Sequence, residues 1–459
     1  MPLIDPTDPR PIHFVGIAGA GMSALAELCA RRGAAVTGCD QHPEGAGDLA
    51  ALGIAALRGH DPAHVDGHRA LVVSSAIPKH HPELERARER GVPVIRRAEA
   101  LAEATAGGQL VGVAGTHGKS TTTVMTTEAL KAGGIDATGV VGARVTAWRG
   151  NLSEGADEVF VVEADEYDRS FLALSPDVAV VTNIEADHLD IYRDLDDIRG
   201  AFAQYVRGAR WIVLCADDPH ANALPTPPSA EVVRYGLTSP DARLVARDVR
   251  HDGSASRFTV TFDGKALGEV TLGVPGDHNV RNALAALAVG LGTWGLTVDK
   301  MRDGLARFVG AERRFQRLGE RKGVLVIDDY AHHPTEIQAT LAAARDAFGG
   351  RRLVVAFQPH LFSRTRDFHG AFAEALGAAD VVYLADIYPA REQPMAGVTS
   401  ALIADDMARA GKAPAWRGAR GDAAAALAGG VREGDVVLTI GAGDITRTGP
   451  ELLAALGDG

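Results

Sequence analysis

Lys119 and Ser120 close a glycine-rich turn, and two carboxylate-bearing segments follow them in the chain. The turn is Gly115-Thr-His-Gly-Lys-Ser-Thr121, preceded by the apolar run Leu110-Val-Gly-Val-Ala114 and followed by a helix-like stretch. Strand, glycine loop and helix in that order is the context a phosphate-binding loop requires. Glycines let backbone N–H groups curl around phosphate oxygens, and the helix start adds further N–H groups and a positive dipole end. In this reading Lys119 reaches the terminal phosphates of ATP and the Ser120 hydroxyl binds Mg²⁺. The loop is a variant, because Val113 stands where the strict pattern has glycine. Glu158-Val-Phe-Val-Val-Glu163 then reads as a strand that delivers Glu163, Asp165, Glu166 and Asp168 at its carboxyl end. Hard carboxylate oxygens suit Mg²⁺. The next strand, Asp177–Thr182, ends at His188 among Glu185, Asp187 and Asp190, which makes His188 a further ligand candidate.

The elements that must hold these groups fall into three α/β units. The first opens with the strand Ile12–Ile17, turns at Gly16, Gly19 and Gly21, and continues into a helical pattern from Met22 to Ala30. A second strand closes on Asp40, about 20 positions past the glycines, as in dinucleotide folds. The spacing is Gly-x-x-Gly-x-Gly, which suits the diphosphate of another nucleotide better than a nicotinamide dinucleotide. Ligands of open α/β sheets sit beyond the carboxyl ends of strands, which places Asp40, Ser74, Ser75 and His60 near one ligand. The second unit carries the phosphate loop, a hairpin at Asp263-Gly264, and an alanine-rich helix opened by Gly276-Asp-His-Asn-Val-Arg-Asn282. The third alternates strand and helix from Val324 to Ile440.

Composition narrows the classes. The chain has 459 residues and a net charge of −12, from 59 acidic against 47 basic residues, which argues against nucleic-acid or lipid-surface binding. Cys29, Cys39 and Cys215 show no paired spacing, so neither a disulfide framework nor a zinc site is expected. Without a signal pattern or a membrane-length apolar run, a cytoplasmic, soluble protein is expected.

Together, Gly115–Thr121, Glu163-Ala-Asp-Glu166, Thr182-Asn-Ile-Glu-Ala-Asp-His-Leu-Asp190, Gly276–Asn282, Arg313-Arg-Phe315 and Asp328-Asp-Tyr-Ala-His-His-Pro334 resemble the Mur ligases. These are ATP-dependent amide-bond ligases of peptidoglycan precursor synthesis. The likeness runs over the whole chain with matching order and spacing. His13-Phe-Val-Gly-Ile-Ala-Gly-Ala-Gly-Met-Ser23, Phe357-Gln-Pro-His360 and Ser363-Arg-Thr-Arg-Asp367 resemble the branch that joins L-alanine to the lactyl carboxylate of UDP-N-acetylmuramate.

The resemblance implies a Rossmann-like UDP-sugar domain at 1–106, a central P-loop ATPase-like domain at 107–310 and a C-terminal Rossmann-like domain at 311–459. Gly115, Thr116, His117, Gly118, Lys119, Ser120 and Thr121 would cradle ATP, with His278, Asn279 and Asn282 at the adenine. Arg313 or Arg314, and Asp328 or Asp329, would complete the ATP site. Ser120, Glu163 and His188 would hold Mg²⁺. The UDP-sugar would lie on Gly16, Gly19, Ala20, Gly21 and Met22, with Asp40, His60, Ser74 and Ser75 nearby. His332, Arg364 and Arg366 would face substrate carboxylates, where a planar guanidinium binds in bidentate fashion. Lys119, Glu163, His188, Arg314 and His332 are the implied catalytic groups, and a monomer or weak homodimer is expected.

Two departures stand out. Tyr167 occupies a position where the alanine-adding branch usually has serine, and tyrosine is common there in a relative that attaches a whole tripeptide to the same sugar nucleotide. No lysine lies between Lys131 and Lys265, so the carbamoylated lysine of several sister ligases has no counterpart here. A nicotinamide oxidoreductase, or a regulatory ATPase using the loop as a switch, are the competing classes.

Overall fold

The computed structural model describes residues 3–5, 7–253, 255–390 and 392–457. Its backbone forms three sheets. The first is parallel throughout, in the order β3-β2-β1-β4-β5, from β1 (Ile12–Val15), β2 (Val36–Asp40), β3 (Ala56–Arg58), β4 (Ala70–Val73) and β5 (Val94–Arg96). That is half of a doubly wound fold, whose ligand crevice lies where the order reverses, at β1 and β4.

The second sheet is built from β6 (Gln109–Ala114), β7 (Thr138–Val145), β8 (Gly150–Ser153), β9 (Val159–Glu163), β10 (Val178–Val181), β11 (Trp211–Cys215), β12 (Glu231–Gly236), β13 (Leu244–Asp252), β14 (Ala255–Phe262) and β15 (Lys265–Leu272). Its order is β15-β14-β13-β12-β11-β10-β6-β9-β7-β8. β6 lies between β9 and β10, both parallel to it, so the phosphate loop and both carboxylate segments leave the sheet at one end. Asp263 and Gly264 both adopt positive φ, 47° and 78°, and form the two-residue turn expected between β14 and β15.

The third sheet runs β16-β17-β21-β18-β19-β20, from β16 (Gln316–Arg321), β17 (Val324–Asp329), β18 (Leu353–Phe357), β19 (Val381–Ala385), β20 (Trp416–Gly418) and β21 (Val436–Ile440). Only β16 pairs antiparallel in it.

The chain separates into two compact units. One is Met1–Arg247, Phe258–Val270 and Arg281–Phe308, and the other is Asp248–Arg257, Thr271–Val280 and Val309–Gly459. Within the first, the helix Ala20–Arg31 packs on β7 and β8, so one apolar core runs from Phe14 and Leu25 to Phe160 and Val181. Ion pairs reinforce that junction, Arg31 to Glu154 at 2.7 Å and Arg144 to Asp48 among them.

The helix Lys119–Ala132, which begins at the phosphate loop, is held from behind by the helix Val298–Arg307. A Cβ at Gly304 would lie 2.2 Å from the Glu128 carbonyl, so only glycine allows that approach. Gly304→Ala is therefore expected to destabilise the first unit by about 1–3 kcal/mol through overpacking. A thermal melt unchanged from wild type would refute that close contact. Among the described residues no helix is long and apolar enough to cross a membrane.

Candidate active site

β6 hands the chain to the phosphate loop, and two glycines there are sterically required. Gly115 sits at φ +139° with the Thr182 hydroxyl 1.9 Å from where a Cβ would be. Gly118 sits at φ +82°, with the Asn282 side-chain oxygen 2.8 Å from its would-be Cβ. Asn282 thus abuts the loop. The end of β10 pins the rest. Thr116 N–H donates to the Asn183 carbonyl, His117 N–H to Asn183 Oδ1 at 2.8 Å, and the Thr182 hydroxyl to the His117 carbonyl at 2.6 Å. The Thr116 hydroxyl accepts from Glu185 N–H at 2.9 Å.

The reactive groups gather over this loop. Lys119 Nζ donates to the Gly115 carbonyl at 2.7 Å and to Glu166 at 2.9 Å. Burial opposes its charge, but Glu166 and Asp165 outweigh that and raise Lys119 to about 12. For Glu166, burial is again the largest influence, yet the Lys119 charge and His188 hold its carboxyl below the usual value. Asp165 lacks so close a cation, and burial beside Glu166 raises it. Ser120 Oγ donates to Glu163 at 2.9 Å, and the same carboxylate oxygen accepts from Gly142 N–H at 2.8 Å.

His188 lies beyond the end of β10. Its backbone takes a positive φ of 52°. That turns Nε2 toward Glu166, at 3.6 Å, and Asp187, at 3.8 Å, while Glu185 faces His117 at 3.4 Å. Glu166 was the group missed on sequence. It is 2% exposed and links Lys119 to His188. Arg97 was missed as well. Its guanidinium would stand 3.1 Å from a Cβ at Gly21 and lies 3.5 Å from Asp165, so it spans the first sheet's glycine turn and the carboxylate loop.

At the first sheet, Asp40 accepts from Ala18 N–H at 3.0 Å and His42 N–H at 2.9 Å, tying the glycine turn to the end of β2. Ser74 and Ser75 follow the end of β4, and Ser75 is exposed. Met22 departs from expectation. Its side chain is in the core at 2% exposed, and its N–H is bonded to the Gly19 carbonyl. His60 also turns away from solvent, with Nδ1 3.2 Å from Cys39 Sγ.

The second unit holds its own polar cluster. Arg313 stacks on Tyr330 at 4.7 Å, pairs with Asp328 at 3.2 Å and donates to the carbonyls of Gly441 and Gly443. Asp328 does not offer a free carboxylate to a nucleotide. It is fully buried, and Thr439, Thr446 and Arg313 take its oxygens. Asp329 accepts from Phe315 and Ala331 N–H, both at 2.8 Å, and burial raises its carboxyl to about 6 against the pull of Arg314. Arg314 lies 5.2 Å from the Tyr330 ring and 3.9 Å from Glu336. His332 lies near the Tyr330 carbonyl and Glu336, and its ring meets that of His360 edge-on. Asn279 spends its amide on the Pro275 carbonyl at 2.8 Å, and it stands with His278 in the first turn of the helix Asp277–Trp294. The two arginines expected to act together are separated, with Arg364 buried while Arg366 pairs with the adjacent Asp367 at 2.7 Å on the surface.

A buried lysine beside a glycine loop, with a serine–carboxylate pair at the neighbouring strand end, can bind and neutralise a transferring phosphoryl group. Comparison with known proteins places this arrangement. Residues 11–109 match the Mur ligase family catalytic domain, 113–290 the Mur ligase middle domain, and 313–443 the Mur ligase glutamate ligase domain. The UDP-N-acetylmuramate–L-alanine ligase of Salinibacter ruber is 45% identical over 444 residues, covering 95% of this chain and 93% of the relative. That of Kineococcus radiotolerans is 47% identical over 460 residues, covering 97% and 96%. The crystal structure of the Thermotoga maritima UDP-N-acetylmuramate–alanine ligase superposes with a TM-score of 0.83 at 30% identity, covering 97% of this chain and 98% of that one. A murein peptide ligase from Psychrobacter arcticus gives 0.73 at 26% identity, covering 98% and 99%. The chain belongs to the Mur ligase family.

Proposed function

We infer that this enzyme joins L-alanine to the lactyl carboxylate of UDP-N-acetylmuramate, with ATP as the energy source, in peptidoglycan precursor synthesis. The observation that carries the assignment is identity of about 45% along nearly the whole chain to ligases of that name. A carboxylate is a poor electrophile, so ATP first phosphorylates it. The amine of L-alanine then attacks the acyl phosphate, and the tetrahedral intermediate expels phosphate.

The residue roles follow from the local chemistry. Lys119 neutralises the transferring phosphoryl, and the loop 115–121 cradles the ATP phosphates. The Ser120–Glu163 pair fits Mg²⁺, which prefers hard oxygen donors, and such an ion would neutralise phosphate charge. His188 faces Glu166 instead, which suits positioning of the Lys119 ion pair more than metal ligation. Arg97, beside Gly21 and Asp165, suits the sugar nucleotide's anionic groups in the first domain. His332 and Arg364 remain our candidates for substrate carboxylates, and Arg314 for the ATP site. The division at 106/107 and 310/311 gives each of the three sheets its own domain. A cytoplasmic monomer or weak homodimer completes the reading.

Incubation with ATP, Mg²⁺ and UDP-N-acetylmuramate should yield the L-alanine adduct by mass, with ADP release that requires both substrates. Preferential addition of the L-alanyl-γ-D-glutamyl-meso-diaminopimelate tripeptide would instead assign the chain to the recycling branch that Tyr167 resembles. ADP release independent of both substrates would remove the ligase assignment.

A further inference from the structure

Behind the first sheet, away from the phosphate loop, four different elements converge on one buried carboxylate. Glu83 stands in the first turn of the helix Pro82–Arg90 and is 0% exposed. Among the described residues, its ion-pair partners within 4.0 Å are histidines only: His64 at 2.9 Å, His60 at 3.5 Å and His81 at 3.7 Å. Cys39 Sγ, from β2, donates to it at 3.1 Å, and His13 Nε2, from β1, lies 3.3 Å from that sulfur. Ligand atoms of His13, Cys39, His64 and Glu83 all lie within 4.8 Å of one another.

A buried carboxylate needs a compensating positive charge. The helix start and the Asp61 N–H, at 3.2 Å, supply part of it. His81 Nδ1 is buried and makes no hydrogen bond among the described residues, though its ring faces this cluster and meets His60 edge-on at 4.6 Å.

We propose that His13, Cys39, His64 and Glu83 form a structural zinc site in the first domain. Two imidazoles, one thiolate and one carboxylate are donors zinc accepts in tetrahedral geometry. Zn²⁺ with a thiolate and a carboxylate is charge-balanced, and the thiol proton leaves to solvent on binding. The neighbours support this set. His13 presents its other ring nitrogen to the Thr37 hydroxyl at 2.8 Å, and that hydroxyl lies 2.7 Å from His68 Nε2, an outer partner of the kind that orients metal-bound imidazoles. The ion would clip β1, β2, the 60–65 segment and the helix Pro82–Arg90 together. It is distinct from the Mg²⁺ position, which uses oxygen donors on the second sheet.

The test is metal content of the full chain, followed by cobalt substitution. The dialysed protein is expected to carry about one zinc per chain. After chelation, added Co²⁺ should give a thiolate-to-cobalt band in the near ultraviolet along with visible bands of tetrahedral cobalt. Cys39→Ser should lose the thiolate band. Thr37→Val should keep the fold and weaken zinc affinity on the order of 10–100-fold. A wild-type chain that stays folded after chelation and takes up neither ion at stoichiometric concentration would overturn the proposal. So would cobalt bound without a thiolate band.

Discussion

Lys119→Ala lowers ligase turnover by on the order of 10²–10³-fold, the usual loss when one preorganised positive contact to developing charge is removed. The structure strengthens that expectation. Lys119 is held over the loop by the Gly115 carbonyl and Glu166, so its ammonium is positioned before any substrate arrives. The substitution also strands Glu166, which adds a stability loss to the catalytic one. Activity is therefore read at a temperature where circular dichroism shows the variant folded. Under those conditions, turnover within a few-fold of wild type would refute the phosphate-loop assignment. Substrate affinity should move less than turnover, because the contact strengthens as charge develops in the transition state.

The parts of this site that were legible in the sequence share one property, namely that local order carries them. Strand, glycine turn and helix follow one another from Leu110 to Ala132, so Lys119 and Ser120 could be placed from their neighbours alone. Glu163 was legible as the last residue of a strand. Glu166 was not, because the same segment offers Asp165, Glu166 and Asp168, and no periodicity says which one folds back to a lysine 47 positions away. His188 was legible as a residue among carboxylates, but its approach to Glu166 was not, since its positive φ leaves no mark on residue type. Asp328 misled for a different reason. All six residues of β17 are buried, so alternation could not tell an inward carboxylate from a site-facing one. The cluster around Glu83 was not legible because His13, Cys39, His64 and Glu83 come from four separate elements, and the spacing of His60 and His64 alone does not say which strands they meet.

Removing Glu166 tests whether the buried pair acts as a unit. Glu166→Ala leaves the Lys119 charge buried without its nearest counter-charge, and loss of one partner of a buried pair costs about 3–5 kcal/mol. Lys119→Met/Glu166→Leu removes both charges. Apolar replacement of a whole buried pair is often neutral, so the double variant should recover most of that stability while remaining inactive. The pH dependence has a defined sign. Glu166 is held below its usual value, so the pair's contribution is present at neutral pH and fades only as pH falls through that lowered value. Lys119 is raised to about 12, so on the alkaline side the contribution persists until pH climbs toward that value. Denaturant unfolding of wild type, both single variants and the double variant closes the cycle. Strictly additive losses would mean that the 2.8 Å contact carries no coupling, and the pair would then have to be read as two independent groups on the same loop. A strong coupling with an inactive but stable double variant would instead separate the two duties of Lys119, holding the loop through Glu166 and meeting the phosphoryl group through its charge.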